Sequence, residues 1–202
     1  MSRFLIALAG LGLVACGGPI SIGDLHDGGA GGGTGVGGGG GAGGTKRIFI
    51  TTLQYTGDLG GLAGADQKCN TEAQAAGAGG TWKAWLSDAT TDALTRIVEV
   101  GPWADFGKFT KTIFNNKATL QTIPLAPLYY DARGQQSSGN SVWTGTDLGG
   151  TKSASHCHSW TSSSSSFLES GAVGYAGNAT AQWTQGSVDL CNTKNSIYCI
   201  EE

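Results

Sequence analysis

Hydrophobic positions divide the chain into three stretches. Phe4 to Ala15 is an unbroken apolar run, residues 28–44 hold little besides glycine, and from Lys46 onward short apolar clusters alternate with polar breaks. In the third stretch Lys46 to Leu53 is rich in β-branched and aromatic residues and predicts a first strand. Leu62, Ala65, Cys69, Ala73 and Ala76 recur at spacings of three and four, which predicts an amphipathic helix over 61–76, ended by Gly77, Gly79 and Gly80. Trp82 to Leu86 reads as a short buried strand, and Thr110 to Leu120 as a second, weaker helix ahead of Pro124 and Pro127. Further short strands are expected at Leu128 to Tyr130, Ser141 to Thr144, Ala172 to Tyr175 and Ser196 to Glu201. Early helices followed by loops and strands describe an α+β domain over residues 46–202.

The first stretch changes the picture from a plain domain to an exported one. An apolar run that short does not cross about 30 Å of hydrocarbon as a helix, but with Arg3 ahead of it, it suits a secretory signal over residues 1–15. It ends Leu13-Val14-Ala15-Cys16, which resembles the lipobox of bacterial lipoproteins. That resemblance implies diacylglycerol on the Cys16 thiol, cleavage before Cys16 and acylation of the new amine, and two or three acyl chains anchor a protein far more firmly than one. Gly17 rather than Asp after the cysteine favours the outer membrane. The expected location is therefore the bacterial cell envelope, lipid-anchored.

Residues 28–44 contain 13 glycines in 17 positions. Such a segment has too little apolar surface to offset its backbone entropy, so the 16–45 region is expected to act as a disordered tether behind the lipidated cysteine. From Gly17 to Thr45 its root-mean-square reach is roughly 30 Å. Charge adds one exclusion. Setting aside Arg3, Asp24 and Asp27 leaves 11 Lys plus Arg against 13 Asp plus Glu in the domain, a net of −2, and no basic run points to nucleic acid.

Beyond Cys16 the cysteines are Cys69, Cys157, Cys191 and Cys199. Four in an exported domain suggest two disulfides with three possible pairings. No CxxC or His-x3-His spacing accompanies them, so no metal site is expected; His156 and His158 flank Cys157 and would share one face of a strand, but two histidines make a poor metal site.

Several blocks then fall in a familiar order. Gly60-Gly61-Leu62-Ala63-Gly64-Ala65-Asp66-Gln67-Lys68-Cys69 leads into Gly79-Gly80-Thr81-Trp82-Lys83-Ala84-Trp85-Leu86-Ser87. Later come Ser141-Val142-Trp143-Thr144-Gly145-Thr146-Asp147, Cys157-His158-Ser159-Trp160 and Tyr198-Cys199-Ile200-Glu201. From Arg47 to Glu201 this resembles the endostatin domain of collagens XV and XVIII, and also a bacterial domain family of uncharacterised function found in lipid-anchored proteins, including spirochaetal endostatin-like surface lipoproteins. The resemblance implies a C-type-lectin-like α+β fold with nested disulfides, Cys69–Cys199 and Cys157–Cys191. The departures limit what carries over. Only His26 lies upstream of the first strand, and no arginine occurs between Arg47 and Arg96, so endostatin's zinc site and strong heparin binding are not inherited. None of Pro19, Pro102, Pro124 or Pro127 supplies the Glu-Pro-Asn or Gln-Pro-Asp of calcium-dependent lectins, and no Trp-Asn-Asp occurs.

Among individual residues, Trp82, Trp85, Trp143, Trp160 and Trp183 are expected mostly in the core, against the alternative of an aromatic sugar platform. Asp66 is expected to bond to loop backbone, Gly145-Thr146-Asp147 to form a turn, and Thr161 to Ser166 to be a solvated loop open to contact. No Gly-x-Ser-x-Gly elbow, His-Glu-x-x-His, P-loop or dinucleotide fingerprint after a predicted strand is present, and paired cysteines leave no thiol nucleophile, so catalytic residues and cofactors are expected to be none. The expected function is display of a binding module for extracellular protein or glycan ligands. The alternatives are a calcium-independent sugar-binding module using exposed Trp or Tyr, and a structural envelope lipoprotein.

Overall fold

A computed structural model describes residues 44–107, 111–137 and 141–202. The signal, Cys16 and the glycine-rich tether up to residue 43 lie outside the described residues, as do 108–110 within the segment expected to be helical. The described chain is mixed α+β, mostly sheet with few helices, and carries two disulfides. None of its helices is long and apolar enough to cross a membrane.

The strands are β1 (Lys46–Ile50), β2 (Trp82–Ala84), β3 (Trp103–Asp105), β4 (Thr112–Phe114), β5 (Ser141–Trp143), β6 (Ser170–Tyr175), β7 (Ser187–Leu190) and β8 (Ser196–Glu201). They form one sheet in the order β4-β3-β1-β8-β5-β6-β7, with β2 also on β8. Strand β8 organises it. One edge pairs antiparallel with β1 from Tyr198 to Ile200; the other pairs with β5 at Ser196 and Ile197 and with β2 from Cys199 to Glu201. A strand with neighbours on both edges and side chains packed on both faces is buried throughout, and every residue of β8 is.

Alternation sorts the core into two layers. Phe49, Ile197 and Cys199 point to one face, where α1 (Gly61–Ala75) lays Ala65, Cys69 and Ala73 against them at intervals of four. Ile48, Ile50, Tyr198 and Ile200 point to the other, against Trp103, Ile113, Phe114 and Trp183. The short helix α2 (Ala93–Arg96) is tied across β2 to α1: Arg96 pairs with Asp66 Oδ1 at 2.6 Å and donates to the carbonyls of Ala84 and Leu86.

Two expectations are corrected. Of the segment Thr110 to Leu120, the described residues 111–120 hold no α-helix. From Thr112 it forms β4, then a 3-10 turn over Lys117–Gln121, because Asn116 caps Thr119 in both directions and pairing with β3 captures Ile113 and Phe114. Leu128 to Tyr130 forms no strand; Tyr130 makes a lone bridge to Gln136, while Leu128 packs into the core from an irregular loop.

The disulfides join Cys69 to Cys199 and Cys157 to Cys191, the pairing that the endostatin resemblance implies. The first links α1 to the central strand. The second links the segment before β6 to the end of β7, and its space exists because Gly57 and Gly171 lack a side chain: a Cβ at either would lie 2.5 or 3.0 Å from Cys157 Sγ.

Candidate functional site

None of the six tryptophans is available as a contact residue. All are buried to 1% exposure or less, and each indole N–H already donates to a protein acceptor: Trp82 to Gly79 O, Trp85 to Thr184 Oγ1, Trp103 to Glu201 O, Trp143 to Tyr55 O, Trp160 to Ser87 O and Trp183 to Thr122 O. A tryptophan platform is ruled out by that burial. Asp66, half-buried, is also engaged structurally, accepting from Ala84 N–H at 2.9 Å besides Arg96. Thr146 of the expected Gly145-Thr146-Asp147 turn is buried in a hydroxyl network, with Ser87 at 2.8 Å and the Thr144 carbonyl at 2.6 Å. Arg47 is held by Glu201 through Nε and Nη2 at 2.6 and 2.5 Å, and its guanidinium lies 5.1 Å from the centroid of Trp82.

What remains is built around Cys157. Residues Cys157, His158, Ser159 and Trp160 all have positive φ (44°, 52°, 56° and 65°), one turn of left-handed helix without a glycine. Each L-residue there costs about 1–2 kcal/mol, so the turn stores about 4–8 kcal/mol that neighbouring contacts must offset. Those contacts are visible. Cys157 is bridged to Cys191; the Trp160 ring is buried 5.6 Å from Trp143, with its indole on Ser87 O at 2.6 Å; Leu59 N–H donates to Trp160 O; and Ser159 N–H donates to His156 Nδ1 at 2.9 Å. Strain held this firmly by surrounding structure clusters at functional sites.

The turn borders a pocket of about 210 Å³ lined by Ser155, His156, His158, Leu168, Glu169 and Ser170. His156 and His158 are therefore brought to one pocket, though by a left-handed turn rather than a strand. His158 is mostly exposed, with Nε2 3.6 Å from Glu169 Oε2. Glu169 Oε2 also accepts from Ser162 Oγ at 2.5 Å. Among the described residues no group of three or more His, Cys, Asp or Glu is arranged to hold a metal ion.

The loop that leads from the left-handed turn to Leu168 is ordered by its serines. Ser162 Oγ accepts from Ser164 N–H, Ser164 Oγ from Ser166 N–H, and Ser166 Oγ from Leu168 N–H, a ladder of side-chain-to-backbone turns. It ends in a β-turn, Glu169 N–H to Ser166 O at 3.0 Å, whose two central residues are Phe167 and Leu168. Such positions ordinarily take glycine, asparagine or serine; here two large apolar side chains stand 84% and 80% exposed. Sequence reasoning reached the polar loop but missed this lip and Glu169. The available signal was Phe-Leu directly after five serines, apolar bulk with no strand or helix period to place it in a core.

A second cavity of about 220 Å³ lies between α1 and the loops at Thr52, Leu53 and Arg133. Its carboxylate, Glu72, is consumed structurally by Thr52 N–H, Leu53 N–H and the Tyr55 hydroxyl, and burial together with Glu72 pushes the Tyr55 phenol well above its ordinary pKa. That arrangement closes a loop onto the helix.

Among known proteins, a search of curated sequences finds no match. A family model described as "Protein of unknown function (DUF1554)" matches residues 52–182, a span holding α1, the left-handed turn and Glu169 but stopping short of Cys191 and Cys199. That match covers well over half of the chain, which therefore belongs to the DUF1554 family.

Proposed function

We propose that this protein is a lipid-anchored component of the bacterial cell envelope that displays an endostatin-like domain, of C-type-lectin-like fold, for binding an extracellular protein or glycan. The observation that carries the reading is the Phe167–Leu168 lip beside the polar pocket. Two adjacent large apolar side chains on an ordered turn contribute nothing to folding there, which supports a role for them in contact with a partner. The lipobox at Cys16 and the two disulfides support export, where thiols oxidise in pairs. The nested pairing and the order of tryptophan and cysteine blocks support the endostatin-like assignment.

The tether fits the same reading. Strand β6 runs in the direction of β1, since β1 is antiparallel to β8, β5 parallel to β8 and β6 antiparallel to β5. The lip therefore lies at the end of the sheet where β1 begins. A lip at that end needs a long spacer to clear a bilayer, the role expected of the glycine-rich 16–45 segment, most of which lies outside the described residues.

Protease added to intact cells tests this. Display predicts cleavage of the domain from cells carrying the wild-type chain, acylation of Cys16 by mass spectrometry, and loss of the domain from the membrane fraction in Cys16→Ala. A domain fully protected in intact cells, or an unmodified Cys16, overturns the proposal.

A further inference from the structure

We infer that the pocket beside the left-handed turn takes one sugar ring of a neutral glycan without a metal ion, its hydroxyls on Glu169 and His156 and its C–H face against Leu168 and Phe167. This names the ligand class of the display proposal at that proposal's own site. The volume argues first. About 210 Å³ lies below the 300–1,000 Å³ of pockets that take drug-sized ligands, and it suits a single small ring.

The lining argues next. Because His156 Nδ1 accepts the Ser159 N–H, the neutral ring carries its proton on Nε2, which is left as a donor. Glu169 Oε2 is taken by Ser162, which leaves Oε1 as an acceptor. Both groups are fixed before a ligand arrives, which lowers the ordering cost of binding. A vicinal diol meets a fixed donor and a fixed acceptor together, since each hydroxyl can do either. The apolar lip completes the set: the rings of neutral sugars are amphipathic, and Leu168 lines the pocket while Phe167, its neighbour in the turn, is the most exposed large apolar side chain among the described residues.

Charge sets the sub-class. Glu169 is the one carboxylate among the pocket's lining residues, so a uronate or sulfated ring meets its charge where a neutral ring does not. With two histidines and one carboxylate not converging as a ligand set, recognition runs through hydrogen bonds rather than a cation.

The test is a titration of the isotope-labelled full chain, disulfides intact, with the methyl glycosides of glucose, galactose, mannose and N-acetylglucosamine in the presence of a chelator. At least one should give saturable millimolar-range shifts at the amides of Ser155, His156, His158, Glu169 and Ser170. Glu169→Ala should weaken it by about tenfold or more, the value of a hydrogen bond to a charged group. Glu169→Gln should retain part of the affinity and lose the discrimination between glucose and glucuronate. Phe167→Ala with Leu168→Ala should weaken binding with the pocket amides still folded. No saturable shift at those amides, binding abolished by the chelator, glucuronate bound as tightly as glucose by the wild type, or an acetylated dipeptide amide bound there more tightly than any sugar would each overturn the inference. The titration is independent of the anchor: intact sugar binding with an unmodified Cys16 removes display alone, and acylated, protease-accessible protein without sugar binding removes the sugar alone.

Discussion

The two disulfides serve two unlike regions. Cys69–Cys199 joins the middle of a right-handed helix to the central strand, and both cysteines lie in regular backbone with the core packed around them. Cys157–Cys191 joins a left-handed turn to the residue that follows an edge strand, beside a pocket and an exposed lip. The first fastens parts whose local preferences already agree. The second holds a conformation that its residues would not adopt alone. All four cysteines lie in one buried core cluster, yet one bridge fastens relaxed, regular backbone and the other holds a strained turn beside the pocket, the proposed contact end.

Removing each bridge separates these roles, and gives the largest expected effects. In the chain-entropy account the 130-residue separation of Cys69 and Cys199 corresponds to about 5 kcal/mol and the 34-residue separation of Cys157 and Cys191 to about 4 kcal/mol. Urea unfolding of Cys69→Ala/Cys199→Ala should lose close to the full amount. Cys157→Ala/Cys191→Ala should lose clearly less than its share, because opening the bridge releases part of the stored backbone energy. Amide shifts should then move at His156 to Ser162 and stay fixed along β1, β8 and α1. Equal losses, or shifts spread through the sheet, would remove the distinction.

The next effect falls on the scaffold alone. Arg96 is nearly buried, and its charge is answered by Asp66 and the carbonyls of Ala84 and Leu86. Asp66→Ala leaves that charge against the interior and removes the acceptor for Ala84 N–H, a loss of about 3 kcal/mol expected in the same urea assay. The pocket amides, on the other region, should hardly shift. Asp66→Asn, which keeps an acceptor for Ala84, should recover part of the loss.

The contrast also explains how much could be read from sequence. Lys46 to Ile50, the helix around Cys69 and Ser196 to Glu201 were legible because their apolar spacing repeats, at two residues or at three and four, wherever an element meets the core. Residues 110–120 were misread as helix because pairing with β3 and the Asn116 cap decide that segment, and neither is written in local periodicity. The left-handed turn had no signal at all. None of Cys157, His158, Ser159 or Trp160 is a glycine, and the distant partners Cys191, Leu59 and Ser87 help His156 hold them at positive φ. In the sequence, His156 and His158 only flank Cys157 and would share a strand face; what places them beside one pocket is the left-handed turn.

A smaller effect of opposite sign follows from the strain. Ser159 sits at φ 56° and contributes its backbone N–H, rather than its side chain, to the His156 contact. Ser159→Gly removes the penalty on an L-residue there, about 1–2 kcal/mol, against the extra freedom of glycine in the unfolded chain, about 0.5–1 kcal/mol. A gain of up to about 1 kcal/mol in urea is expected. Glycine at Thr71 on the exposed face of α1 should instead cost about 0.3–0.5 kcal/mol, because threonine is itself a poor helix former. Destabilisation by Ser159→Gly as large as that by Thr71→Gly would mean that the turn is not strained.

The smallest effect is a pH dependence confined to the neighbourhood of the turn. Asp88 lies in a loop whose Ala89 N–H reaches Ser159 Oγ at 3.5 Å. Partial burial raises the Asp88 pKa, but hydrogen bonds to the carboxylate from Thr90 N–H, Thr90 Oγ1 and Thr91 N–H outweigh it and leave the group below its ordinary value. A depressed carboxyl pKa stabilises the folded loop wherever the unfolded group is ionised, above about pH 3.9, and that contribution is lost as pH falls through the folded value. Acidification should therefore speed amide exchange at Thr90 and Thr91, with the change carried to Ser159, before the α1 amides respond. Asp88→Asn keeps an acceptor and abolishes the titration, so its exchange at Thr90 and Thr91 should stay flat over the same range. If the α1 amides lose protection at the same pH as Thr90 and Thr91, the two regions open together and the contact end has no independent stability to lose.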